Sequence, residues 1–152
     1  MFAKLCLAGV CTLSAFTLGC SPAAPPASTI AAPMWAPLTQ QALLGSWVLA
    51  EVSNQPVPRG ISLSFSSDGV IQGRLTCGNE LDGRYRVLPH SIQFGGRITE
   101  RGCDPLALHE AAEKTLFRPF SAYLSPDLRH LYIRGEETLL FKRRPADAER
   151  AS

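Results

Sequence analysis

The chain has 152 residues, a formal net charge of +2 and 45% hydrophobic residues. That is enough apolar material for one folded domain and excludes wholesale disorder, which needs low hydrophobicity and high net charge. Fifteen basic residues against thirteen acidic ones leave no concentrated basic footprint, so no nucleic-acid partner is expected.

The chain opens with MFAKLCLAGVCTLSAFTLGC, in which Lys4 is the one charge ahead of an apolar run. The run is short for a bilayer span and ends in small residues, the shape of a secretory signal over residues 1–19. Thr17-Leu18-Gly19-Cys20 resembles the lipobox of bacterial lipoproteins, which is cut just before a cysteine that takes the lipid. The resemblance implies lipidation of Cys20. With Ser21 next, it also implies, for a Gram-negative cell, an outer-membrane anchor facing the periplasm. Thr17 stands where the lipobox has Leu, and the alternative is an ordinary signal with Cys20 there by chance. Acyl chains contribute about 0.8 kcal/mol per buried CH₂, and more than one makes a stable anchor.

Residues 20–39 join Cys20 to the uncharged, Pro/Ala-rich SPAAPPASTIAAPMWAPL, which reads as a tether, partly polyproline II. Trp35 within it has two readings, docked on the domain or placed near the membrane. The folded domain is expected over residues 40–143. Ser46–Val52 reads as a strand, and Ile61, Leu63 and Phe65 alternate onto one face of the next. Asp68-Gly69 predicts a hairpin turn, with the return strand over Val70–Thr76. Gly83–Val87 alternates again, with Tyr85 and Val87 opposite Arg84 and Arg86. Ser91–Phe94 follows, ended by Gly95-Gly96, and His130–Arg134 with Thr138–Arg143 makes a last hairpin.

One segment departs from the two-residue period. Asp104-Pro105 predicts a helix start, an N-cap followed by proline at the first helical position. Leu108, Ala112 and Leu116 recur every four residues beside Phe117, and Pro119 ends the helix. The fold class is therefore mainly β, a small antiparallel barrel or curled sheet with one packed α-helix. Residues 144–152 form a polar tail.

Cys6 and Cys11 leave with the signal and Cys20 carries lipid, so Cys77 and Cys103 remain as a pair in an oxidising compartment. A disulfide is expected, which would pin the helix entrance to a strand end and contribute roughly 3.5 kcal/mol.

The order of these elements resembles the META domains, the family that includes the HslJ-like bacterial envelope proteins. Leu44-Gly45-Ser46-Trp47-Val48-Leu49 resembles their opening strand, and Phe65 with Asp68-Gly69 their hairpin. Cys77–Asn79 with Gly83-Arg84-Tyr85, Thr99 with Cys103, Glu113, and Leu139-Leu140-Phe141 follow in order. One glycine departs: the family reads Gly-Cys-Asn where this chain reads Thr76-Cys77-Gly78-Asn79. The resemblance implies a lipocalin-like barrel with a packed helix and a role at the bacterial envelope, linked to stress and antibiotic tolerance. It supplies no catalytic residue.

The chemistry-bearing residues have bland readings beside the sharp ones. His109-Glu110-Ala111-Ala112-Glu113 is one substitution away from the zinc-protease H-E-x-x-H, whose second imidazole is here Glu113; the favoured alternative is a solvated helix face whose Glu113 belongs to the fold. Cys77 as a nucleophile would need a base among His90, His109 and His130, and a Cys77/Cys103/His109 zinc site lacks the paired spacing of structural zinc. No metal, cofactor or catalytic activity is expected. Arg84 and Arg86, with Arg74, Arg97 and Arg101 as neighbours, form a candidate patch for lipid phosphates, lipopolysaccharide or an acidic partner. The alternative is an ordinary solvated strand face. The function expected is that of a lipid-anchored envelope protein acting by binding a protein or lipid, or by supporting envelope integrity. The rival is a lipocalin-like carrier of a small apolar ligand. Trp47, Leu63, Phe65, Tyr85, Phe94, Leu131 and Phe141 are large, which points to a filled interior.

Overall fold

The alternating strands assemble into one antiparallel sheet, seen in a computed structural model that describes residues 34–58 and 60–145. The expected signal (1–19), Cys20 and most of the expected tether and tail lie outside the described residues. A short helix α1 (Gln40–Leu43) leads into β1 (Gly45–Val52), followed by β2 (Gln55–Pro56), β3 (Ser62–Phe65) and β4 (Val70–Arg74). A 3-10 turn at Thr76–Gly78 precedes the hairpin β5 (Glu80–Leu88) and β6 (Ser91–Ile98). Helix α2 (Ala107–Leu116), β7 (Ser121–Leu124), β8 (His130–Arg134) and β9 (Thr138–Arg143) complete the domain. The order across the sheet is β6-β5-β4-β3-β1-β9-β8-β7, with β2 paired to β1.

The sheet curls into a half-barrel rather than closing. At one point its edges touch: Ala122 N donates to His90 O at 2.8 Å. Pro119, with no N–H to donate, lies just ahead of β7, and the ladder goes no further in that direction. The concave side is the core, and the alternation read from sequence puts Ile61, Leu63 and Phe65 there as expected. Trp47, Leu49, Leu131, Ile133, Leu139 and Phe141 join them, each at 2% exposure or less. Each such side chain contributes about 1.5–3 kcal/mol relative to exposure. In β1 the buried side chains switch from odd (Trp47, Leu49) to even (Val52), because the β1–β9 register shifts between Leu49 and Glu51. A bulge of this kind re-aims the strand so that Val52 also reaches the core.

Four expectations are corrected. Gly95-Gly96 does not end β6, which runs on to Ile98. Gly96 serves a close backbone approach instead: a Cβ on it would sit 2.2 Å from Asp82 O, and one on Gly83, its partner, 2.3 Å from Gly95 O. The β4 strand stops at Arg74 because the chain turns at Thr76–Gly78, where Cys77 and Gly78 take φ of 62° and 71°. Helix α2 begins at Ala107 behind Leu106, with no side-chain cap, so Asp104 is not its N-cap. Its buried face is Ala112 and Leu116 with His109 and Thr115, while Phe117 is 44% exposed. Strand β7 is an element the sequence pattern did not suggest.

Trp35 docks on the domain. Its ring lies 5.4 Å from that of Tyr123 and 5.2 Å from that of Tyr132, and Ala36 N donates to Leu124 O at 2.9 Å. The last residues ahead of α1 thus cover the outer edge of β7.

Candidate binding groove at the open edge of the sheet

The opposite edge is β6, and its hairpin partner β5 carries Arg84 and Arg86 on the convex face. Between them Tyr85 turns inward, stacks edge-on against Phe65 at 4.9 Å and donates to Ser66 O at 2.9 Å. Burial pushes the Tyr85 phenol up from its ordinary value. Arg84 donates to Asp68 O at 3.1 Å, and Arg86 reaches across the ladder to Gln93 Oε1 at 3.0 Å. Asp68 itself belongs to the β3–β4 turn. The Ser66 hydroxyl, then the Val70 N–H, hold its carboxyl below the usual carboxylate range.

Where the edges splay apart, a groove of about 690 Å³ opens between β6 and the segment that follows α2. Its apolar lining is Ile92, Phe94, Leu116, Phe117 and Phe120. The Phe94 ring stands 6.1 Å from Phe117 and 6.0 Å from Phe120. Arg84, Arg86 and Arg118 line its rim, Arg118 paired with Glu136. Gly95 opens the β6 side, since a Cβ there would meet nothing within 4 Å. The groove therefore combines a water-exposed aromatic floor with a cationic rim, which suits an amphipathic anion.

The other candidate residues are drawn into the scaffold. Cys77 and Cys103 form the expected disulfide, with Cα atoms 5.6 Å apart. Asn79 reinforces it, accepting from Arg101 N at 2.6 Å and donating to Arg101 O at 3.3 Å. His109, 7% exposed, packs against Gly60, with Nε2 3.2 Å from Pro58 O. Glu113 accepts from the N–H of Thr76. The two ends of the H-E-x-x-E stretch thus serve different loops, and among the described residues no group of three or more His, Cys, Asp or Glu is placed to hold a metal ion. His90 sits in the β5–β6 turn and His130 lies 3.8 Å from Asp127, so neither joins His109. Arg74 faces Glu80 and Arg97 faces Asp82 across their ladders, while Arg101 lies at the disulfide end, away from the groove.

Sequence reasoning missed Phe117 and Phe120 as groove residues, reading one as core and passing over the other. It also missed Arg143, whose guanidinium donates to Leu128 O at 2.8 Å and to the carbonyls of Ala42 and Leu44, and stacks 4.2 Å over Trp47. A cation two residues beyond a buried Phe141 on the same strand face was the available signal.

Residues 40–146 match the model of the META domain family. The chain belongs to that family. The META domain covers the whole sheet and α2, and the resemblance read from the sequence is thereby confirmed at family level. Among solved structures, the fold is similar to an NMR structure of a protein from Burkholderia xenovorans, with a TM-score of 0.55 and 22% identity. That match spans 82% of this chain and 99% of the other, and it speaks for the fold alone. No curated protein matches.

Proposed function

We propose that this META-domain chain is a lipid-anchored, non-catalytic protein of the bacterial envelope that acts by binding at its surface. In this reading it is held through Cys20 in the outer membrane, faces the periplasm, and meets an envelope protein or lipid there. The supporting observation is the contrast between interior and edge. The concave side is filled by Trp47, Leu63, Phe65, Leu131 and Phe141, whereas Phe94, Phe117 and Phe120 line a groove open to solvent. A filled half-barrel has no room for cargo, which weighs against the lipocalin-like carrier. Exposed aromatic surface beside arginines is the composition of recognition sites.

The test is an intact mass of protein released gently from the envelope, in native mode and after alkylation without reductant. The proposal expects a chain beginning at Cys20, carrying acyl chains, unalkylated at Cys77 and Cys103, and otherwise empty. A free amino terminus without acyl groups refutes the anchor. A co-purifying small apolar molecule returns the carrier reading, and a bound metal ion reopens the chemistry at His109.

A further inference from the structure

Of the two edges of the half-barrel, one is covered and one is bare. The outer edge of β7 is occupied by the Trp35–Ala36 segment, through the Ala36–Leu124 bridge. Strand β6 ends the sheet on the other side, and among the described residues nothing pairs with it beyond the single His90–Ala122 bond. The direction of its backbone groups follows from two bonds. Thr99 N donates to Glu80 O, toward β5, whereas His90 O accepts from Ala122 N, away from β5. Backbone direction alternates along a strand and the β5–β6 register is unbroken, so the even-numbered residues turn outward. The unpaired N–H and C=O groups of Phe94, Gly96 and Ile98 therefore face solvent.

The two faces flanking this edge differ in chemistry. On the concave side the even residues present Phe94 and Ile98, the latter 40% exposed, with Phe117 at 44% beyond them. On the convex side stand Arg97 of β6 and, one strand back, Arg84 and Arg86. Arg86 reaches across the ladder to Gln93 of β6, whereas the Arg84 guanidinium is drawn back to Asp68 O on the β4 side. Asp82 lies across from Arg97 but forms no ion pair with it, and Glu80 is two pairs further along, opposite Thr99. Natural proteins normally blunt so long a bare edge.

From this geometry we infer that β6 is a docking strand for an extended peptide segment in which apolar and acidic residues alternate. The inference rests on the reading of the domain as a binding module and names its partner. The added segment lies antiparallel or parallel to β6 and takes main-chain hydrogen bonds from Phe94, Gly96 and Ile98. It turns its apolar residues toward Phe94 and Phe117 and its carboxylates toward Arg97 and Arg86. A second copy of this chain does not fit. Two β6 edges side by side would gather six arginines on one face, a like-charge arrangement that opposes pairing.

The experiment is a titration of the full folded domain, disulfide intact, with a synthetic peptide alternating valine and glutamate, followed by backbone amide spectra and hydrogen exchange. Saturable binding is expected, with slowed exchange at the amides of Phe94, Gly96 and Ile98. N-methylation of alternate peptide nitrogens on the pairing edge should abolish it, and lysine in place of glutamate should abolish it too. Reversing the rim with Arg86→Glu and Arg97→Glu, both at exposed positions, should weaken binding roughly tenfold or more. The inference is overturned if the alternating peptide does not bind. It is also overturned if N-methylated and unmethylated peptides bind alike, or if concentration-dependent pairing of β6 between copies protects the same amides without peptide. Failure here with an acylated, empty chain in the native mass leaves the anchored binding module standing and removes only this edge. A small apolar molecule co-purifying in that mass, beyond the acyl chains on Cys20, returns the carrier reading and removes the binding module itself.

Discussion

Replacing both members of the Cys77–Cys103 bridge by alanine tests how the fold is held at the entrance to α2. The bridge closes a loop with a sequence separation of 26. Chain entropy in the unfolded state then accounts for about 3.5 kcal/mol at 25 °C. For a folded unit of about a hundred residues, that is a fall in Tm of roughly 15 °C. The folded state should change little, because the flanking segments stay joined without the sulfurs. Asn79 still clasps Arg101, Thr99 Oγ1 still accepts from Glu80 N at 2.8 Å, and Glu113 still meets Thr76 N. Position 77 carries a second, separable effect, because its φ of 62° strains any residue with a Cβ. The variant Cys77→Gly with Cys103→Ala should therefore recover about 1 kcal/mol relative to the double alanine. Urea unfolding followed by circular dichroism gives both numbers, and the m-value should rise as the unfolded chain expands. A loss below about 1 kcal/mol with an unchanged m-value would refute the argument that the bridge acts on the unfolded state. Double alanine and glycine–alanine variants of equal stability would refute the strain at position 77.

Three further outcomes are open to direct measurement. Gly96→Ala should cost about 3 kcal/mol or more, since its Cβ would fall 2.2 Å from Asp82 O, while Gly95→Ala should stay within about 0.5 kcal/mol. Equal urea midpoints for the two would contradict the close approach of β5 and β6. Leu128 holds φ of 56° where the similar turn after β3 has Gly69 at 79°, so Leu128→Gly should stabilise by about 0.5–1 kcal/mol in thermal melts. Both turns also lower an aspartate: the Ser66 hydroxyl acts first on Asp68 and the Ser125 hydroxyl first on Asp127. A carboxyl with its folded pKa below the usual 3.8 stabilises the fold above that value, and the stabilisation is lost as pH falls through the folded pKa. The double variant Asp68→Asn, Asp127→Asn should flatten the acid side of a stability–pH profile; an unchanged slope below pH 4 would count against it.

The parts of the fold legible in the sequence are those whose signals are local. Ile61, Leu63 and Phe65 alternate, Asp68-Gly69 turns, and the last hairpin reads directly from its own pattern, because each depends on neighbours a few residues away. The misread parts depend on partners far along the chain. Gly95-Gly96 looks like a strand end until Gly83 is placed against Gly96. His109 looks solvated on a helical wheel until Gly60, which has no side chain to keep it out, is brought beneath it. The same division runs through the candidate groove. Arg84 and Arg86 share a strand face by simple alternation, but Phe94, Phe117 and Phe120 meet only because the sheet curls and Pro119 ends the closing ladder. Strand β7, four residues long and directly behind that proline region, was too short to carry a pattern of its own.

The chain holds two tryptophans, and the fold gives them separate optical environments. Trp47 is fully enclosed, its Nε1 donating to Leu43 O at 2.8 Å and Arg143 lying over its ring. Trp35 sits at the surface between Tyr123 and Tyr132, with Arg134 5.9 Å from its ring. A collisional quencher in the solvent should reach Trp35 and leave Trp47 untouched, so their emission separates without labels. In a Trp47→Phe protein the remaining signal follows the segment that leads into the domain, and in a Trp35→Phe protein it follows the core. The leading segment can thus be watched leaving β7 while the half-barrel behind it stays dark and intact.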